Sequence, residues 1–190
     1  MKVQAFAAAV LVLLAAGGAR AGECAGVRMA DRATVDGREL VLNGMGVREA
    51  TLLGIDVYVA GLYLERRSSD GEQIARSEQW KQMRLTFVRD VARADMVENL
   101  EQGFRGAAGA DYGKLARRFE QLKKAIPTLK SGDTFLATYK PGSGLEVRHG
   151  QKPLVTLPGA DFARAIFSIW LGKKPPNQGL KNGLLGGRCG

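Results

Sequence analysis

Alternating apolar and polar positions mark residues 35–88 as mainly β-structure. Turn signals at Asp36-Gly37, Gly44 and Gly54 separate segments that are rich in β-branched and apolar residues. After Gly54, aliphatic residues at 55, 57 and 59 alternate with Asp56 and Tyr58, as in a half-buried strand. The pattern predicts strands at 39–43, 47–53, 55–65 and 81–88, with a short helix at 70–77.

Helical spacing replaces this alternation in the middle of the chain. Large apolar residues recur every three or four positions, at 96, 100 and 104 and again at 115, 119, 122 and 126. A hairpin follows, with its turn in the Pro-Gly-Ser-Gly sequence of residues 141–144. The pattern predicts helices at 93–106, 111–126, 160–171 and 178–185, and strands at 134–140, 145–149 and 154–157.

This order of elements indicates an α+β fold. Strands come first, two helices interrupt them, and further strands and two helices complete the chain. Because the apolar face of a sheet must be covered, the helices are expected to form a layer on that face. We therefore predict a large, mainly antiparallel sheet covered by helices, in a single domain that spans residues 22–190.

The N-terminus has the pattern of an export signal. Lys2 precedes an apolar run over residues 5–16, and the segment ends in the small-x-small triplet Ala19-Arg20-Ala21. This is typical of a secretory signal peptide, here over residues 1–21, and the apolar run is shorter than the roughly 20 residues of a membrane-spanning helix. We therefore expect a periplasmic or secreted protein.

Two cysteines lie near the ends of the exported chain. Cys24 comes three residues after the expected cleavage site, and Cys189 is the next-to-last residue. In an oxidising compartment, two lone thiols at opposite termini most simply form one disulfide. The sequence therefore predicts a bond that ties the ends of the domain together.

Composition argues against several kinds of chemistry. The 190 residues include 28 Lys and Arg, 19 Asp and Glu, and a single histidine, His149. A single histidine cannot build a multi-histidine metal site, and two paired cysteines leave no thiol nucleophile. The sequence also has no glycine-rich loop of the phosphate-binding kind. We therefore predict no metal and no cofactor. The formal charge of +9 does not indicate nucleic-acid binding, because the basic residues are not interleaved with aromatic ones.

Basic residues cluster on the second of the two central helices. The cluster consists of Lys114, Arg117, Arg118, Lys123 and Lys124. Such a cluster is typical of a solvated helix face. Its functional alternative is a transient contact with an anionic membrane surface.

Several segments together resemble the bacterial chalcone-isomerase-like proteins in their order and spacing. They are GMGVREATLLG followed by VYVAGLYLE, FVRDV at 87–91, GADYGKL at 109–115, YKPGSGLEV at 139–147 and IWLGKKPPNQGLKNGLLG at 169–186. The resemblance covers residues 35–186, nearly all of the expected mature chain. It implies the fold of that family, an open-faced β-sandwich in which a large antiparallel sheet carries a helical layer.

The resemblance also implies a site. The family includes isomerases that close chalcones to flavanones and non-catalytic members that bind fatty acids in the same cleft. Both use an arginine at the position of Arg48 and a tyrosine at that of Tyr112. In an isomerase the pair would polarise the substrate and activate its ketone, and in a fatty-acid binder it would receive the carboxylate. A guanidinium backed by a phenol suits either role.

Three departures from the isomerase pattern favour binding over catalysis. Where isomerases place polar substrate contacts, this chain has Val59 or Ala60, Phe119 and Ile169. An apolar cleft suits an aliphatic chain, because burying an unpartnered phenol of a flavonoid costs about 1–3 kcal/mol. We therefore expect a fatty acid or similar amphiphilic carboxylate to bind there. A chalcone-type isomerase that uses Arg48 and Tyr112, and an envelope interaction protein with a vestigial cleft, remain as alternatives.

Overall fold

The computed structural model describes residues 21–50 and 54–189. At its centre lies a seven-stranded antiparallel sheet in which the strands follow one another in chain order. These strands are β3 (Arg32–Val35), β4 (Arg38–Ala50), β5 (Ile55–Leu64), β6 (Lys81–Phe87), β7 (Thr134–Lys140), β8 (Gly144–His149) and β9 (Lys152–Leu157). The large antiparallel sheet predicted from the sequence is confirmed.

A separate hairpin and five helices pack around the sheet. The hairpin joins β1 (Ala21–Cys24) to β2 (Val27–Ala30). The helices are α1 (Gly71–Arg76), α2 (Arg93–Ala108), α3 (Tyr112–Ala125), α4 (Ala160–Leu171) and α5 (Gln178–Leu184). Because all five contribute buried residues to the same core, they form the helical layer that the α+β prediction requires.

Strand β5 is buried on both of its faces from Tyr58 to Leu64. Tyr58, Ala60 and Leu62 face the helices, whereas Val59 and Tyr63 face the side that carries the β1–β2 hairpin. Since side chains alternate along a strand, these two sets belong to separate apolar clusters on opposite sides of the sheet. This division decides which residues of β5 can reach the helical side.

The prediction of two strands with a turn at Gly44 was wrong. Residues 38–50 form one continuous strand, β4, with an irregularity in its pairing between Leu42 and Gly44. The glycines here serve close packing, because α5 lies directly on the strand. A Cβ atom at Gly44 would be 2.1 Å from the carbonyl oxygen of Gly183, and one at Gly46 would be 2.5 Å from that of Leu180.

The two ends of the described chain are joined covalently. Cys24 in β1 and Cys189, which follows α5, form a disulfide with their Cα atoms 5.7 Å apart. The bond links the hairpin on one side of the sheet to the segment that follows the last helix. The predicted pairing of the two cysteines is therefore present.

The predicted signal peptide, residues 1–21, lies outside the described residues except for Ala21. The end of the predicted strand at 47–53 also falls outside them, at residues 51–53. Within the described ranges, no helix is both long and apolar enough to cross a membrane.

Candidate functional site

A cavity of about 350 Å³ opens between the β4–β5 end of the sheet and helices α2 and α4. Its volume falls in the range of small-molecule sites, roughly 300–1,000 Å³. Its lining is mostly apolar and comes from the two strands, the two helices, Val91 and the loop after α4. The lining residues are Arg48, Ala50, Val57, Tyr58, Val91, Met96, Asn99, Leu100, Gln102, Gly103, Gly106, Ile169, Trp170, Lys174, Pro175 and Pro176.

Arg48 and Tyr58 bring polar groups together in this cavity. They are cross-strand partners in the β4–β5 ladder, so their side chains project from the same face of the sheet. Arg48 is half-buried, and its Nη1 donates a hydrogen bond to the carbonyl of the next residue, Glu49. The strand pairing thus places one guanidinium next to one phenol.

A hydrogen bond from α4 fixes the phenol of Tyr58. The indole Nε1 of Trp170 donates to the Tyr58 oxygen at 3.0 Å, and the Tyr58 ring packs edge-on against Phe87 with the ring centroids 5.5 Å apart. Burial raises the pKa of Tyr58, while the Trp170 hydrogen bond and the positive charge of Arg48 act to lower it. Because the net shift is upward, the phenol keeps its proton at neutral pH.

The charge in the cavity is positive. Among its described lining residues, Arg48 and Lys174 carry charge, and no carboxylate lines it. Asn99 and Gln102 on α2 add neutral amide groups. An apolar cavity with cations and no acids favours a ligand that combines a hydrocarbon body with an anionic group.

The structure brings together two of the five predicted ligand-binding residues. Arg48 and Ile169 both line the cavity. Tyr112 does not: it begins α3, its hydroxyl is 3.3 Å from a carboxylate oxygen of Glu101, and the Arg105 guanidinium lies 4.3 Å from its ring centroid. The predicted pair of Arg48 and Tyr112 is therefore not formed around a common cavity.

Phe119 and Val59 also lie away from the cavity. Phe119 is fully buried in α3 and stacks on Phe104 of α2, with the ring centroids 4.1 Å apart. Val59 is fully buried in the apolar cluster on the opposite side of the sheet, under the β1–β2 hairpin. Both side chains contribute to core packing, although both were predicted to contact a ligand.

Apart from Arg48 and Ile169, none of the residues that line the cavity was predicted to bind a ligand. Tyr58 and Trp170 are the two of these that form the buried hydrogen bond at its wall. The alternation at residues 55–59 already separates Tyr58 from the aliphatic positions around it. Its place opposite Arg48 depends on the β4–β5 register, which the sequence pattern did not provide. Trp170 is buried in α4, and its indole additionally reaches the cavity.

Comparison with known proteins identifies the family. The model of the chalcone isomerase-like family matches residues 21–186, and the chain therefore belongs to this family. Among solved structures, a fatty-acid binding protein of Arabidopsis thaliana is similar, with a TM-score of 0.67 and 19% sequence identity, over 84% of this chain and 92% of that chain. This likeness confirms the open-faced fold. No curated protein matches the chain.

Proposed function

We propose that the protein binds a fatty acid or a similar amphiphilic carboxylate in the cavity between the sheet and helices α2 and α4. The observation that carries the proposal is the placement of Arg48 beside Tyr58 in a largely apolar cavity of about 350 Å³. Such a site offers one anion receptor and an apolar lining, which is the usual composition of a site for this class of ligand.

The head group would be held by Arg48 and Tyr58. A guanidinium forms strong, charge-assisted hydrogen bonds to a carboxylate. An indole N–H can only donate, so the Tyr58 oxygen accepts from Trp170, and the phenol proton remains to be donated elsewhere. We propose that the phenol donates this proton to a carboxylate oxygen of the ligand.

The hydrocarbon chain would lie against the apolar walls of the cavity. Val57 on β5, Met96 and Leu100 on α2, and Ile169 on α4 supply this surface. Burial of a methylene group contributes about 0.8 kcal/mol, so a saturated chain gains most of its affinity from these walls. The carboxylate interactions then set the orientation of the ligand.

Family membership and the similar fatty-acid binding protein of Arabidopsis thaliana also support binding. The isomerase alternative required Arg48 and Tyr112 to act on one substrate, and the distance of Tyr112 from the cavity gives it no support. The alternative of an interaction protein with a vestigial cleft is disfavoured by a cavity of about 350 Å³. We further propose that the protein acts in the periplasm or outside the cell, in keeping with the disulfide.

Replacing Arg48 with alanine is expected to weaken binding of myristate 10-fold to 100-fold, because a charged hydrogen-bond partner contributes about 1.5–3 kcal/mol. Isothermal titration calorimetry of wild type and variant measures the change. Arg48→Lys keeps the charge but loses the forked geometry and should fall between them. An Arg48→Ala variant that folds normally and binds myristate as tightly as wild type would falsify the assigned head-group site.

Replacing Tyr58 with phenylalanine is expected to weaken myristate binding about threefold to 10-fold, since one hydrogen bond to the ligand is lost. The matched control is Tyr112→Phe, which removes the same hydroxyl outside the cavity and should leave affinity unchanged. A Trp80→Phe background leaves Trp170, at the cavity wall, as the protein's one tryptophan and fluorescent reporter. If Tyr112→Phe has the larger effect, the head group binds near α3 instead.

A further inference from the structure

A second depression adjoins the cavity. It has a volume of about 420 Å³ and lies between α1, the end of α2, α4 and the loop after α4. We call it the basic groove, after its four cationic lining residues, Arg76, Arg164, Lys173 and Lys174. Glu72 is the one carboxylate among its described lining residues. The groove is therefore strongly positive.

The groove and the cavity meet at Gly106 and Lys174, which line both. Gly106 lies in the last turns of α2, and a Cβ atom built on it would meet no atom within 4 Å other than its chain neighbours and the adjoining backbone of α2. A side chain at this position would stand in open space between the two depressions. Because glycine has none, no side chain at this position separates the two depressions.

The cations of the groove are poorly neutralised. Arg76 lies 3.7 Å from Glu72, and Arg164 lies 4.0 Å from Asp111. Lys173 and Lys174 are exposed, and neither forms an ion pair with any residue in the described ranges. These positive charges remain available for a ligand.

The basic cluster on α3 differs in this respect. Arg118 pairs with Asp161 at 2.6 Å, Lys123 with Glu101 at 2.9 Å and Lys114 with Asp111 at 3.0 Å. Three of the five positive charges in this cluster are thus balanced within the protein. The available positive charge lies instead next to the cavity.

The walls of the groove are fixed by hydrogen bonds. The buried ammonium of Lys81 donates to the carbonyl oxygens of Ile74, Ala75 and Ser77 at the end of α1, at 2.7–3.0 Å. The ammonium of Lys181 donates at 2.9 Å to the carbonyl of Gly172, which ends α4. The cations therefore project from helices that are already held in place.

We propose that the preferred ligand is a single-chain amphiphile with a phosphate head group, whose chain fills the cavity and whose phosphate lies in the basic groove. This inference rests on the proposed function and extends it. A phosphate monoester carries a charge of about −1.5 to −2 at pH 7 and three acceptor oxygens, and arginine binds it in bidentate fashion. In an acylated glycerol phosphate, the acyl carbonyl takes the place of the fatty-acid carboxylate beside Arg48.

The test compares two ligands of equal chain length, myristate and 1-myristoyl lysophosphatidic acid, by calorimetry below their micelle concentrations with the disulfide-bonded protein. The phosphate ligand should bind at least 10-fold more tightly than myristate. The triple variant Arg76→Gln, Arg164→Gln and Lys173→Gln should abolish this difference and leave myristate affinity within twofold of wild type. The matched control, Lys114→Gln, Arg117→Gln and Lys124→Gln, removes equal charge from α3 and should change neither affinity.

Three outcomes would overturn the inference, and they differ in what they leave standing. If the phosphate ligand binds no more tightly than myristate, the groove does not hold a head group, while the carboxylate proposal stands. If the phosphate ligand binds no more tightly than myristate, and wild type binds phosphatidylglycerol vesicles while the triple variant does not, the groove contacts a membrane surface. If wild type binds neither ligand, the proposed function fails together with the inference.

Discussion

Replacing both Cys24 and Cys189 with serine is expected to lower the free energy of unfolding by about 4 kcal/mol. The bond spans 165 residues of sequence. It restricts the unfolded chain far more than the folded one, and chain-entropy arguments assign about 4.7 kcal/mol to a loop of 100 residues. The melting temperature of a protein of this size should fall by roughly 10 °C.

Urea denaturation of the two proteins at one pH measures the effect. Loss of the cross-link lets the unfolded chain expose more surface, so the dependence of unfolding free energy on urea should become steeper. Wild type in excess reductant is the matched control and should unfold like the double-serine variant. A loss below about 1 kcal/mol would contradict the entropic argument and would mean that packing alone holds the two ends.

The loss of stability should be greatest near the bond. Cys24 is buried beside Met29 in the apolar cluster that the β1–β2 hairpin forms with the sheet. Met29 packs so closely on Gly61 that a Cβ atom there would be 2.3 Å from its sulfur. Since each hairpin strand has only four residues, hydrogen exchange in β1 and β2 should accelerate more than in β5.

Hydrophobic periodicity predicted most elements after residue 55, because each strand or helix there is long enough to repeat its pattern. β1, β2 and β3 have four residues each, which is too short for a period to appear. Gly44 was interpreted as a turn because glycine favours turns and close helix contacts alike, and only the position of α5 distinguishes the two.

The site was less predictable than the fold, and the reason is the register of one strand. Resemblance to the family pointed to Arg48, but it left Val59 and Ala60 as equal choices for the next position. A shift of one residue moves a side chain to the other face of a sheet. Val59 faces the β1–β2 hairpin, while Ala60 and Tyr58 face the helices. Pairing between β4 and β5, which places Tyr58 opposite Arg48, contains irregularities between Leu42 and Gly44 and between Arg48 and Glu49 that the alternation of residue types does not indicate.

Helix α5 packs closely on β4 at Gly44, and Gly44→Ala is therefore expected to lower the free energy of unfolding by about 3 kcal/mol. The new methyl group would lie 2.1 Å from the Gly183 carbonyl oxygen and 2.9 Å from that of Leu184. Both are backbone atoms of α5, so no side-chain rotation can relieve the contact. The helix must move away from β4, which weakens the burial of Leu180 and Leu184.

Movement of α5 should also reach the cavity. Asn177, which precedes α5, donates a hydrogen bond at 3.1 Å to the Val47 carbonyl of β4. Pro175 and Pro176, immediately before it, line the same cavity as Arg48. We therefore expect Gly44→Ala to weaken myristate binding as well as stability, although Gly44 itself does not line the cavity.

The matched control is Gly113→Ala in α3. A Cβ atom at Gly113 meets nothing within 4 Å, and alanine in a helix is favoured over glycine by about 0.5–1 kcal/mol, so this variant should be slightly stabilised. Gly183→Ala, whose methyl group would lie 2.1 Å from the Met45 carbonyl oxygen, should reproduce the loss from the other side of the contact. Because both glycines relieve the same contact, the double variant should lose less than the sum of the two single losses. Additive losses would show that the two glycines act independently and that α5 is not held to β4 by this contact.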